Sequence, residues 1–291
     1  MRDALLSRPP RPRSDRWSTA RRFARNKGAV GGVMVLAFIL AAVGLAPVLA
    51  PYDPIALNTN EVLALPGARH LMGTDDLGRD VFSRILYGGL LSLSVGVMAV
   101  SIAGVSGTLL GLIAGYYNGW IEQVIMRITD VMLAFPGILL AMLVVATLGP
   151  SLTNIMIALA FSRAPAYARL VRGSVLAMKQ NLFVEAAVVR GCTHNRILFR
   201  HILPNVMVPI LVVASLDVGV AIIVGASLSF LGLGAQPPTP EWGRMLSDAR
   251  RFLRVAPWLS MFPGLAIMLT VLAANLVGDG LRTALDPRLR V

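Results

Sequence analysis

Residues 182–205 read LFVEAAVVRGCTHNRILFRHILPN, a polar, positively charged stretch between two long apolar segments. The residues predict two short helical halves. Val184, Val188 and Cys192 recur at i, i+4 spacing beside Glu185, Ala186 and Ala187, giving the first half a partly apolar stripe. Gly191 offers the break between the halves, because glycine enters a turn without the steric cost of a Cβ. The second half, residues 195–203, is expected to stop at Pro204, which cannot donate the next helical hydrogen bond. A helical hairpin of this kind, held rigidly against a membrane, is a docking surface.

The chain around it reads as membrane protein. Hydrophobic residues make up 56% of the 291 and mean hydropathy is +0.70, too apolar for an ordinary soluble domain. The apolar residues come in long runs, whereas a membrane barrel would give alternating segments of about ten residues, so the fold class is all-α and integral to the membrane. Six spans are expected, near residues 29–50, 90–115, 128–148, 152–171, 206–228 and 257–277, with residues 1–27 a basic tail and 28–291 the transmembrane domain. With both termini cytoplasmic, most Lys and Arg fall in cytoplasmic segments, as the positive-inside rule requires, and the hairpin lies on that side of the cell membrane. The net charge of +12 therefore reads as topology signals and contacts to anionic lipid, and a nucleic-acid groove is not expected.

Several chemistries are excluded. Cys192 is the only cysteine, and His70, His194 and His201 are scattered without a metal-binding spacing, so no metal site and no catalytic constellation is expected. The two lysines, Lys27 and Lys179, follow no phosphate-binding loop, so this chain should bind no nucleotide and no other cofactor.

Other residues stand out by cost or by pattern. Residues 73–80, GTDDLGRD, predict Asp75 and Asp80 capping a short interfacial helix and pairing with Arg79 or Arg84. Ala99, Ala103, Gly107, Gly111 and Gly115 form a stripe of small side chains that lets another helix approach closely. Residues 116–127 read as a turn, and Pro136-Gly137 as a kink inside the third span, which has Asp130 near its cytoplasmic end. Arg163 and Asp217 fall near the middle of the fourth and fifth spans, where each charge costs roughly 2.5 to 3.5 kcal/mol. They are expected to face each other or one polar cavity, or to line a pathway. The external segment 232–256 holds Pro237, Pro238 and Pro240, which limit its conformations and would present Glu241 and Trp242 to a partner.

Three motifs carry a family resemblance. Glu185-Ala186-Ala187, then Gly191, then Leu203-Pro204 resembles the EAA loop of ATP-binding-cassette importer permeases. The run GTDDLGRD at 73–80, and SFLGLG at 229–234 followed by QPPTP and Trp242-Gly243, resemble signatures of the dipeptide, oligopeptide and nickel subgroup, in its C-type permease. The resemblance implies a type I importer permease with a non-catalytic role, in which Glu185, Ala186, Ala187, Gly191, Leu203 and Pro204 couple to an ATPase. It also implies a B-type permease, one or two ATPase subunits that bind ATP and Mg, and an extracytoplasmic substrate-binding protein. Peptides are the expected cargo; nickel complexes and glutathione are carried by relatives. A self-contained secondary transporter using Asp130, Arg163 and Asp217 is the alternative from another class.

Overall fold

The computed structural model describes residues 16–285, so the rest of the basic tail and the extreme carboxyl terminus lie outside the described residues. The tail's last part is helical, α1 Arg16–Arg25, and Asn26 caps the first long helix, α2 Lys27–Gly44, by accepting from Ala29 N. A single turn, α3 Ala46–Leu49, ends it. The small-residue stripe lies on α4 Val81–Tyr117, which begins nine residues before the predicted span because Asp80 caps it by accepting from Ser83 N. The short interfacial helix expected near Asp75 is thus the first turn of α4 itself.

The third span departs from expectation. Instead of a turn over 116–127 and one kinked helix, there are two helices, α5 Gly119–Leu133 and α6 Gly137–Leu148, at 94° to each other. Pro136 has no N–H to continue α5 and disfavours a helical conformation at Phe135, so the break is complete instead of a kink. The next helix, α7 Leu152–Lys179, is tied across α5 by Arg172 Nε to Glu122 at 2.7 Å and Arg169 to Asp130 at 2.5 Å.

Beyond it come α8 Leu182–Val189, α9 His194–Arg196, a π-helical turn Ile197–Ile202, and α10 Leu203–Phe230. These last three form one continuous helix, so Pro204 does not stop the second half of the hairpin. The π turn explains how: Leu203 N reaches back five residues to Leu198 O, and Pro204 sits in the first turn of α10, where its missing donor matters least. The chain closes with α11 Trp242–Ala249 and α12 Trp258–Leu285.

Among the described residues four helices are long and apolar enough to cross a membrane, five if the bent α5–α6 pair counts as one span. The remaining predicted span, the fourth, is α7, which has the length but also Arg163, Arg169, Arg172 and Lys179. Its polarity is tolerated because α7 is the central helix, with Ile155, Ala158, Tyr167, Ala168, Val171 and Val175 fully buried against its neighbours. Two cores result. One runs through α4, α6, α7, α10 and the hairpin. The other joins the start of α4 to Trp242, Met245, Trp258 and Leu259 at the end of the bundle away from the hairpin.

Candidate functional site

The hairpin 182–205 is built as a rigid knob. Val184 and Ala187 of α8 and Ile197, Leu198 and Ile202 of the following turn are buried in the main core, with Cys192 packed against it. Val188, grouped with Val184 from the spacing, instead faces out, because the helix is only two turns long and its inner face is set by Val184 and Ala187. Gly191 has φ +73°, a left-handed conformation that L side chains rarely adopt. Gly191 N bonds Val188 O and Cys192 N bonds Ala187 O, the paired bonds of a Schellman ending. Gly191 is therefore required by its backbone conformation; no atom lies within 4 Å of a Cβ built there.

The knob is fastened to α4 by contacts that the sequence did not announce. Lys179 Nζ donates to Tyr116 O at 2.8 Å and lies over the Tyr116 ring, while Tyr116 Oη meets His194 Nδ1 at 2.7 Å. The second half is thus tied to the end of α4 directly, and the first through Lys179 at the end of α7 just before it. On the outer face Glu185 and Ala186 are exposed, flanked by Leu182 and Val189 at 81% and 82% exposure. A rigid base with an apolar, solvent-facing tip is suited to insertion into a complementary cleft.

Arg163 of α7 and Asp217 of α10 form an ion pair. Asp217 is buried, whereas the Arg163 side chain keeps 36% of its surface. Tyr167, one turn along α7, is fully buried, and its hydroxyl has no hydrogen-bond partner. Asp130 does not join this pair and is held by Arg169, six residues further along α7.

Glu241 and Trp242 require a correction. Neither is presented to a partner: they are 2% and 1% exposed. Glu241 caps α11 by accepting from Gly243 N and Arg244 N and also accepts from Ser92 Oγ, and Trp242 Nε1 donates to Ile85 O at 3.0 Å. A carboxylate at a helix N-terminus and a large aromatic beside a core each gain more from burial here than from exposure.

The segment between α3 and α4 is organised by His70. Its Nδ1 lies 2.8 Å from Asp80 and its Nε2 2.9 Å from Glu61, so both ring nitrogens face carboxylates and the charged imidazolium satisfies both. Burial alone would lower the His70 pKa, but the hydrogen bonds to Glu61 and Asp80, with their charges, outweigh it and raise it. Glu61 is correspondingly lowered, first by His70 and then by Arg69. A raised histidine stabilises fully below its unfolded value of 6.5 and loses that contribution as pH climbs through the folded value. A lowered carboxylate contributes above 4.5 and loses it as pH falls through its folded value. Hydrogen exchange at Leu63 N and Thr74 N, which bond Asp75 O and Ala64 O across this segment, should therefore lose protection, after correction for intrinsic rates, as pH rises above 6.5 through the folded value. His70→Gln should flatten that dependence, and equal pH dependence in both proteins would refute it.

A bundle of membrane-length helices with an outward helical knob defines an integral membrane protein. The chain belongs to the binding-protein-dependent transport system inner membrane component family, whose model matches residues 107–291. The N-terminal transmembrane domain of oligopeptide transport permease C matches residues 16–66. It is 51% identical to a dipeptide transport system permease protein of Alkalihalophilus pseudofirmus, over 94% of this chain and 90% of the relative. Glutathione transport system permease proteins of Pectobacterium atrosepticum and Escherichia coli O157:H7 are 50% and 49% identical, covering 93% and 99% of this chain and 90% and 97% of theirs. The fold also resembles the crystal structure of an amino acid ABC transporter with histidines, with TM-score 0.52, 17% identity and coverage of 67% of this chain and 91% of that one. The chain is a transmembrane permease subunit of an ATP-binding-cassette transport system.

Proposed function

We propose that this permease is the C-type subunit of a peptide importer, pairing with a B-type permease to form the translocation pathway. The reading is supported by the exposed tip of the hairpin, Leu182, Glu185, Ala186 and Val189, on a base tied to α4 and continuous with α10. A push on that tip moves two long helices together. ATP and Mg are bound by one or two partner ATPases seated on the hairpin in the cytoplasm, where both termini also lie. A substrate-binding protein delivers cargo at the opposite end. The permease itself performs no covalent chemistry and binds no cofactor. Short peptides are the cargo because the dipeptide and glutathione permeases resemble this chain over nearly its whole length, and both of those compounds carry peptide bonds or close equivalents. Glutathione or a nickel complex is the alternative within the same subgroup.

A photocrosslinker at Val189 should capture the ATPase polypeptide, and Val189→Asp should lower stimulated ATPase activity about tenfold or more while the protein remains in the membrane. Such a drop corresponds to about 1.4 kcal/mol of lost coupling, within reach of one desolvated charge. Capture of no ATPase together with normal uptake by the variant would sink the docking assignment.

A further inference from the structure

At the end of the bundle away from the hairpin, between the 76–79 turn, the 237–239 loop and α11, lies a polar cavity of about 390 Å³. Arg79, Arg84, Arg244, Arg250 and Arg251 line it, against Asp76 and Asp248. Two of these arginines are buried and held from behind: Asp75 lies 2.7 Å from Arg79 Nε and 3.5 Å from Arg84 Nε, and Arg84 also donates to Pro54 O at 2.9 Å. Arg244 reaches Asp248 at 2.8 Å, yet its Nε is buried with no acceptor. Among the described residues Arg250 and Arg251 have no carboxylate partner. The cavity therefore carries excess positive charge on a preset frame, and guanidinium forks match carboxylate geometry.

We propose that this cavity binds the carboxylate end of a short zwitterionic peptide at the mouth of the permease. Asp76, whose nearest cation is Arg79 at 4.0 Å, stands within the same lining to receive the peptide's ammonium group. The volume falls in the range of small-molecule sites, roughly 300–1,000 Å³. Recognition by both charged ends would let side chains of any kind project away, which suits a carrier of varied short peptides. The assignment rests on the peptide-cargo reading above.

The test uses the assembled complex, with partner permease and ATPases, in lipid nanodiscs without binding protein. Calorimetric titration with dialanine should show binding at least about tenfold tighter than with dialaninamide, the difference expected from one charge-assisted contact. The double variant Arg250→Gln/Arg251→Gln removes two arginines that hold no internal carboxylate, and should bring dialanine down to the level of the amide. Equal binding of the two compounds, or unchanged dialanine binding by the variant, overturns the site. If the variant keeps dialanine but loses affinity for the binding protein, the carboxylate is an acidic side chain of that protein and the cargo assignment is overturned. If dialanine binds through these arginines but the intact system does not take it up, the site stands and the peptide-cargo reading fails.

Discussion

Arg163→Ala should abolish stable assembly, and it should do so more severely than Asp217→Ala. The two side chains pair between antiparallel helices joined through the hairpin, but they are not equivalent. Asp217 is short and buried; Arg163 is long and about a third exposed. With Asp217 removed, Arg163 can swing its guanidinium along its apolar stem toward a more polar level. With Arg163 removed, Asp217 has no such route and remains uncompensated. Breaking a fully buried pair costs about 3–5 kcal/mol. Arg163→Ala strands the buried Asp217, and because Arg163 is about a third exposed the cost falls at the lower end of that range, about 3 kcal/mol. The exposure of Arg163 brings Asp217→Ala nearer to 1–2 kcal/mol, after allowance for screening of a partly exposed charge. The double variant should be less impaired than the sum of the singles, because it leaves no orphaned charge. Thermal unfolding of the three purified variants in detergent measures all three numbers. Additive losses, or equal losses from the two single substitutions, would mean that the pair does not hold α7 to α10.

The reasons some features were legible before the structure, and others not, are physical. The long apolar runs and the small-residue stripe report burial directly, so α2, α4, α10 and α12 were readable as helices, with ends misplaced by up to nine residues. Charges at mid-span depth are costly enough that a nearby opposite charge was the natural expectation for Arg163 and Asp217. Local pattern fails where a partner elsewhere in the chain decides the outcome. Residues 116–127 looked like a turn because they are only moderately apolar, yet Glu122 is paired by an arginine of α7, and residues 119–133 form one helix. Glu241 and Trp242 looked like an external hook because prolines precede them, yet Ser92 and Ile85, about 150 residues earlier, accommodate them in the second core. His70 was one of three scattered histidines; only the fold brings Glu61 and Asp80 to its two nitrogens. The Schellman ending at Gly191 lies at the other extreme, since the six residues 187–192 contain every atom that it needs.

The same distinction between local and distant causes fixes the second large effect, on the packing of α4 against α7. A Cβ at Gly107 would stand 2.5 Å from Ala164 O, and one at Gly111 would stand 2.6 Å from Ala168 O and 2.7 Å from Val171 Cβ. The obstructing atoms are backbone oxygens, or a β-carbon fixed to the backbone, so no rotamer change relieves the clash and the helices must separate. Overpacking a core ordinarily costs about 1–3 kcal/mol. A clash with backbone exceeds the lower part of that range, and parting the helices also forfeits the contacts of fully buried Tyr167, Ala168 and Val171. Gly111→Leu should therefore cost about 3 kcal/mol or more, and Gly107→Leu/Gly111→Leu should leave no assembled protein after detergent extraction. Gly104, on the same helix, provides the control. Its nearest outside atom is Tyr167 Cε1 at 4.0 Å, so Gly104→Ala adds ordinary contact and removes a helix-weakening glycine. It should match or slightly exceed the parent in thermal stability. If Gly104→Ala and Gly111→Leu unfold at the same temperature, close approach of α4 to α7 is not what holds the bundle together. If Gly111→Leu alone collapses, the bundle rests on the close seam between α4 and α7, and any relative motion of its helices must leave that seam closed.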